Sequence, residues 1–117
     1  MTKMIIMINY DKPDACIVEL AGELDMKTSV EFRNKLQSLL KKGLKMVVID
    51  LSGVRYMDSS GIATLVEGYQ ESYKANLGFY LVGIREQIRK FFELANLIDF
   101  FKIYHSIEDV FMVRNGD

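Results

Sequence analysis

The sequence predicts an α/β fold in which a mixed sheet opens with an antiparallel hairpin. Residues 4–10 and 15–20 are rich in apolar and β-branched side chains, and they flank a short turn that contains Pro13, a combination typical of a hairpin. Residues 46–51 form a nearly continuous apolar run, as a central strand covered on both faces does. Helical and strand patterns alternate from there on, which favours parallel strands joined by right-handed crossovers.

The first helix is predicted to follow Asp25, where the spacing of apolar residues changes from that of a strand to that of a helix. Thr28 and Glu31 have the spacing of a capping box, and Gly43 is a natural place for the helix to end. The predicted buried face of this helix consists of Phe32, Leu36, Leu39 and Leu40.

A loop is predicted at residues 52–58, directly after the central strand, and a second helix is predicted to begin near Ser59. The predicted buried face of that helix consists of Ile62, Leu65, Val66, Tyr69 and Tyr73. The remaining predicted elements are a strand at 79–82, a helix at 85–94, an edge strand at 100–104 and a last helix at 107–113, capped by Ser106.

Composition limits the classes of function. The length of 117 residues predicts one domain over residues 1–117, and 16 acidic against 15 basic residues argue against broad nucleic-acid binding. One cysteine, Cys16, and one histidine, His105, are too few for an internal disulfide or the usual zinc or iron site. We therefore expect no metal and no cofactor. Short apolar runs and an N-terminus unlike a signal peptide predict a cytoplasmic protein without membrane insertion.

Asp58, Ser59 and Ser60 stand where the predicted loop meets the second helix, beyond the carboxyl end of the central strand, where open sheets usually carry functional loops. Asp and Ser are preferred N-cap residues, so capping alone would explain them. A serine nucleophile would need a base within reach, and His105 is the only imidazole in the chain. The segment also lacks the Gly-x-Ser-x-Gly pattern of a hydrolase. We therefore expect no enzymatic activity.

Ser59 is nevertheless well placed to receive a phosphoryl group from another protein. A phosphate at a helix start is expected to meet free backbone N–H groups and the positive end of the helix dipole. It would add charge to an exposed corner without disturbing the core. The residues alone thus leave two interpretations of Ser59 open, a cap residue without further function and a phosphorylation site.

Two motifs resemble those of a known family. Residues 47–61 read Val-Val-Ile-Asp-Leu-Ser-Gly-Val-Arg-Tyr-Met-Asp-Ser-Ser-Gly, and residues 22–25 read Gly-Glu-Leu-Asp. Both are similar to motifs of the STAS domain, as found in bacterial anti-sigma factor antagonists. The resemblance implies an STAS-type mixed sheet that carries its helices mainly on one face. Ala63 is a departure, because many family members have a second glycine there.

What the resemblance implies is a binding protein that is switched by phosphorylation. In that family the unphosphorylated protein binds an anti-sigma factor and so frees a sigma factor for transcription. The anti-sigma factor is also the serine kinase, with ATP as donor, and a serine phosphatase reverses the modification. The family's phosphoserine corresponds to Ser59, with Ser60 as the secondary candidate. The residues assigned to partner binding on this basis are Asp25, Met57, Asp58, Ser59, Ser60 and Gly61.

A second function is compatible with the same resemblance. The chain would then be a cytosolic STAS subunit of a membrane lipid- or anion-transport assembly and would use the helix start as a fixed docking surface. In either role we expect Asp50 to brace the neighbouring loop rather than to act as a phosphoaspartate. We also expect the free chain to be a monomer.

Overall fold

A computed structural model describes residues 4–115 of the chain and contains five strands and four helices in that range. The strands are β1 (Met4–Lys12), β2 (Ala15–Leu24), β3 (Met46–Met57), β4 (Gly78–Val82) and β5 (Lys102–Tyr104). The helices are α1 (Met26–Leu40), α2 (Ser59–Lys74), α3 (Glu86–Leu94) and α4 (Ile107–Asn115). In the part of the chain so described, no helix combines the length and the apolar character that crossing a bilayer requires.

The five strands form one mixed sheet in the order β1-β2-β3-β4-β5. Strand β1 pairs with β2 antiparallel, whereas β2, β3, β4 and β5 pair with one another in parallel. The predicted opening hairpin and the predicted parallel strands are therefore both confirmed. Because β2, β3 and β4 run in the same direction, their carboxyl ends meet at one edge of the sheet, and helices begin there.

The two faces of the sheet differ in how many helices cover them. Alternate residues of β3 point to opposite faces, so that Val47 and Ile49 join a core with α1, α2 and α3, whereas Val48 joins a smaller core with Val110 of α4. Each fully buried side chain of this kind contributes about 1.5–3 kcal/mol. The expectation that the helices lie mainly on one face is confirmed.

Strand β3 is longer than the sequence predicted, and the loop expected at residues 52–58 is wrong over most of its length. Beyond Leu51 the strand continues to Met57, because Gly53, Val54, Tyr56 and Met57 pair with the end of β2 after a shift in register. The apolar run at 46–51 marks only the part of β3 that is buried on both faces. The continuation to Met57 depends on pairing with β2, a segment distant in sequence.

Tyr73 is a second correction, since it was predicted on the buried face of α2. Its side chain is 77% exposed, while Ile62 and Leu65 on the same face are buried. Tyr73 borders an open groove together with Tyr69 and Phe100 instead of packing beneath the sheet. The helical spacing of apolar residues therefore predicted a buried last turn of α2 that is in fact exposed at Tyr73.

Candidate functional site

Two aspartates follow neighbouring strand ends, and each caps a helix. Asp25 follows β2 and caps α1, and Asp58 follows β3 and caps α2. The strand ends are paired, because Leu24 lies opposite Met57 and the Leu24 carbonyl oxygen accepts a hydrogen bond of 3.2 Å from the Asp58 N–H. The starts of α1 and α2 consequently lie side by side at one edge of the sheet, with Asp25 next to the Asp58 segment.

The cap of α1 is a capping box, but not the one that the sequence predicted. The Asp25 Oδ1 atom accepts hydrogen bonds of 3.0 Å from the N–H groups of Lys27 and Thr28. In return, the Thr28 hydroxyl oxygen accepts a bond of 2.9 Å from the Asp25 N–H. The predicted pair, Thr28 with Glu31, is therefore wrong by three residues. Asp25 takes the cap because its backbone is still extended, with φ −118° and ψ −169°, where β2 ends.

Asp58 occupies the start of α2 in the same way. Its Oδ1 atom accepts hydrogen bonds from the N–H of Ser60 at 2.9 Å and of Gly61 at 3.3 Å. The expectation that a phosphate on Ser59 would meet free N–H groups is wrong for these two donors, because the Asp58 carboxylate is already bonded to both. A phosphate at this position would instead share the helix start with a carboxylate.

Ser59 is the first residue of α2, and its side chain is exposed. Ser60 is only half-buried, and its carbonyl oxygen accepts a hydrogen bond of 3.0 Å from the Thr64 hydroxyl. Among the residues that the structure describes, none hydrogen-bonds to the Ser59 hydroxyl. The hydroxyl of Ser59 is therefore accessible to an enzyme that acts on the chain from outside.

Met57 and Gly61 support this segment from beneath. Met57 is 5% exposed, and Gly61 is buried. A Cβ atom added at Gly61 would come within 2.7 Å of the Met57 Cγ atom and within 2.9 Å of the Leu24 Cγ atom. Met57 and Gly61, both assigned to partner binding from the resemblance, are therefore packed beneath the surface.

Exposed apolar residues of α1 flank the same edge, and sequence reasoning did not single them out. Met26 and Val30 are 73% and 60% exposed. They lie on the stripe of α1 that also carries Arg33, because residues three and four apart share a helix face. The Arg33 Nε atom donates a 2.7 Å hydrogen bond to Glu67 of α2, and α1 and α2 start side by side at this edge. Met26 is therefore close to the start of α2.

The bond from Arg33 to Glu67 also has an electrostatic signature. The Arg33 hydrogen bond, and a second bond of 2.7 Å from Gln37, hold the pKa of the Glu67 carboxyl below its usual range. Both partners of the ion pair are substantially exposed, so its contribution to stability is small. It links α1 to α2 at the surface, whereas Leu36 of α1 packs against Gly68 of α2 beneath it.

A groove of about 500 Å³ borders Ser59 on the side of α3. Its walls come from the end of β3, from the first residues of α2 and from α3. The lining residues are Arg55, Tyr56, Met57, Asp58, Ser59, Gln87, Ile88 and Phe91. The participation of α3 could not be read from the sequence, because it depends on how the helix packs across the sheet edge.

Three residues that were considered for chemistry have structural or surface positions instead: Asp50, Cys16 and His105. The Asp50 carboxylate accepts a hydrogen bond of 2.9 Å from the Ser52 N–H, so its role is structural, but it braces β3 itself and not the loop expected there. Cys16 is fully buried, and burial raises the pKa of its thiol. His105 is exposed just after β5. Over residues 4–115, no group of three or more acidic, histidine or cysteine side chains could hold a metal ion.

The STAS domain family model matches residues 7–110 of the chain. An anti-sigma-B factor antagonist of Staphylococcus epidermidis is 29% identical over 91 residues, which make up 78% of this chain and 84% of that protein. An anti-sigma factor antagonist of Mycobacterium paratuberculosis has a similar structure, with a TM-score of 0.85 and 24% identity over 95% of this chain and 93% of that one. The Bacillus cell fate determinant SpoIIAA in its phosphorylated form has a TM-score of 0.73 and 19% identity over 93% of this chain and 99% of that one. The last two similarities establish the fold.

Proposed function

Since the chain belongs to the STAS domain family, we propose that it is an anti-sigma factor antagonist that is switched by phosphorylation. In its unphosphorylated form it binds an anti-sigma factor in the cytoplasm and frees a sigma factor for transcription. The anti-sigma factor is the serine kinase, Ser59 is the acceptor, and a serine phosphatase removes the phosphate. The observation that carries the proposal is the exposed Ser59 side chain at the start of α2, in a chain whose curated relatives are anti-sigma-B factor antagonists.

The proposed contact surface surrounds Ser59 at the carboxyl edge of the sheet. Met26 and Val30 bring exposed apolar area to it, and burial of such area against a partner is the main source of binding free energy. The polar rim comes from the aspartates that cap α1 and α2. The partner-binding residues of the proposal are Asp25, Met57, Asp58, Ser59, Ser60 and Gly61, of which Met57 and Gly61 act from beneath.

The switch is proposed to work at this surface and not through a change of fold. A phosphate adds about 1.5–2 negative charges at pH 7. The Asp58 carboxylate already accepts the N–H groups of Ser60 and Gly61, so the phosphate gains little from the helix and remains directed outward. A partner that closes over Ser59 would then bury an uncompensated charge, which opposes binding.

A binding function also fits the surroundings of Ser59 better than catalysis does. Ser59 lines a groove with Gln87 and Phe91, whereas His105, the single imidazole of the chain, lines a different cavity beside Ser52. A serine nucleophile needs its base within hydrogen-bond reach. We therefore propose that the serine receives a phosphoryl group and performs no chemistry of its own.

The alternative, a cytosolic STAS subunit of a membrane transport assembly, makes a different prediction about partners. Immobilised chain would be used to capture proteins from native bacterial cytosol, and the captured proteins would be identified by mass spectrometry. Recovery of an ATP-binding anti-sigma factor supports the main proposal. Recovery of a transporter ATPase in its place would favour the alternative.

Incubation of the chain with ATP and its anti-sigma kinase is expected to place one phosphate on Ser59. Ser59 is the first residue of α2 and is exposed, whereas Ser60 is half-buried. Phosphopeptide mapping of the wild-type chain and of the Ser59→Ala and Ser60→Ala variants measures this directly. Ser60→Ala should be labelled like the wild type, and Ser59→Ala should not be labelled. Equal labelling of Ser59→Ala would exclude Ser59 as the acceptor.

Replacement of Asp25 is expected to separate its capping role from its role towards the partner. Asp25→Ala removes the oxygen that accepts from Lys27 and Thr28 and should lower the free energy of unfolding by about 1 kcal/mol. Asp25→Asn keeps a capping oxygen and removes only the charge. We expect Asp25→Asn to retain stability and to weaken partner binding in calorimetric titrations.

The control for this experiment is Glu31→Gln, which removes an exposed negative charge elsewhere on α1. It should bind the partner like the wild type. If Asp25→Asn also binds like the wild type, the Asp25 carboxylate makes no contact with the partner and serves only as a helix cap.

A further inference from the structure

A second cavity, of about 530 Å³, lies at the carboxyl edge of the sheet beside β4 and β5. It does not share a residue with the groove that contains Ser59. Open parallel sheets commonly bind ligands at this edge. Its lining includes Ser52, Gly83, Arg85, Glu86, Arg89 and His105.

Two guanidinium groups line this cavity, those of Arg85 and Arg89. The carboxylate of Glu86 is in the same lining, and that of Asp50 lies close to Gly83 of the lining. Arg85 precedes α3, and Arg89 lies one turn into it on the same face. His105 adds a further hydrogen-bonding group. The lining therefore brings two guanidinium groups and an imidazole to one cavity.

One of the two guanidinium groups is held in place by the protein. The Arg85 Nε atom donates a hydrogen bond of 2.8 Å to the Ser52 carbonyl oxygen. This bond uses one of the five N–H groups of the side chain, so the two terminal nitrogens keep their donors. No acceptor among the described residues bonds to these terminal nitrogens. An anchored guanidinium with free terminal donors suits the oxygen atoms of a phosphate.

The start of α3 borders the same cavity. Arg85 occupies the N-cap position, and its side chain makes no capping hydrogen bond. In this respect α3 differs from α1 and α2, whose first N–H groups are bonded to an aspartate. The first N–H groups of a helix without such a cap favour an anion. Arg85 and Glu86 at this helix start line the cavity together with Arg89.

We propose that this cavity binds a small anion that carries a phosphate group, with Arg85 and Arg89 as its charged ligands. The site is distinct from the groove at Ser59, because the two cavities have no lining residue in common. Glu86 opposes the anion and limits the affinity. This opposition provides an informative test, because removal of the Glu86 charge must strengthen binding if the anion sits between the arginines.

To test this, the unmodified chain is titrated with inorganic phosphate, and binding is monitored through the amide chemical shifts. Chloride is added to keep the ionic strength constant. A parallel titration with glycerol 3-phosphate distinguishes a phosphomonoester from free phosphate. We expect saturable shifts at residues 84–89 with at least one of the two probes. Arg89→Gln should weaken the binding about tenfold, as the loss of a charge-assisted hydrogen bond does, and Glu86→Gln should strengthen it about threefold.

Matched controls lie on the same helix outside the cavity. Lys90→Gln removes an exposed positive charge next to Arg89, which lines the cavity. Glu93→Gln removes an exposed negative charge one turn beyond Arg89. Both controls should leave the affinity within about twofold of the wild type. Shifts that do not saturate, or equal effects of Arg89→Gln and Lys90→Gln, would show that phosphate only screens the charge of α3 and would overturn the proposal.

Discussion

Phosphorylation of Ser59 is expected to lower the affinity of the chain for its anti-sigma factor about a thousandfold, which corresponds to about 4 kcal/mol. Ser59 is exposed beside Asp58 at the start of α2, and Asp25 caps the neighbouring helix. A phosphate on Ser59 would add negative charge beside the carboxylates of Asp25 and Asp58 at the same edge of the sheet. Burial of an unpaired charge, or its approach to a carboxylate, opposes complex formation by several kcal/mol.

Isothermal titration of the anti-sigma factor with the two forms of the chain measures this loss. Amide spectra and melting temperature of the free chain provide the structural control. We expect spectral changes at the starts of α1 and α2 alone, and a melting temperature that does not fall. If the phosphate shifts resonances throughout the sheet or clearly destabilises the chain, the switch is conformational, and the mechanism at the contact surface is wrong.

The largest expected effect on stability is that of Gly53→Ala in β3. A Cβ atom at this position would lie 2.8 Å from the Leu20 carbonyl oxygen and 3.0 Å from the Ala21 Cα atom. Both belong to the backbone of β2, which is paired with β1 and with β3 and therefore cannot move aside. We expect the free energy of unfolding to fall by about 2 kcal/mol and the melting temperature by roughly 10 °C.

Ser52→Ala is the matched control for Gly53→Ala. Ser52 is exposed and adjacent in the strand, and its hydrogen bond to Asp50 comes from the backbone N–H, which the substitution keeps. Its free energy of unfolding should stay within about 0.5 kcal/mol of the wild type. A Gly53→Ala chain as stable as this control would mean that β2 and β3 lie farther apart at Gly53 than the structure has them.

Local patterns were sufficient to predict most of the fold. The hairpin follows from two apolar segments around a turn, and the start of α2 at Ser59 follows from Asp58, whose side chain caps its own helix. The cap of α1 was predicted wrongly because two capping-box spacings overlap in the sequence, Asp25 with Thr28 and Thr28 with Glu31. The sheet decides between them, since β2 remains extended to Leu24.

The surroundings of Ser59 were less predictable than Ser59 itself. The resemblance identified Ser59 from residues that are contiguous in sequence. The exposed Met26 and Val30 reach the same edge because α1 packs beside α2, where Leu36 lies against Gly68. The groove wall formed by α3 likewise depends on packing between distant segments, which local periodicity does not encode.

The release of a sigma factor from its complex with the anti-sigma factor tests the central proposal most directly. Purified chain would be added to the complex, and the released sigma factor would be measured by size-exclusion chromatography. Its activity would be measured as transcription in vitro from a promoter that depends on this sigma factor. The unphosphorylated chain should release the sigma factor, and the chain phosphorylated on Ser59 should leave the complex intact. Equal release by both forms would contradict the switch at Ser59, and release by neither form would contradict the assignment as an anti-sigma factor antagonist.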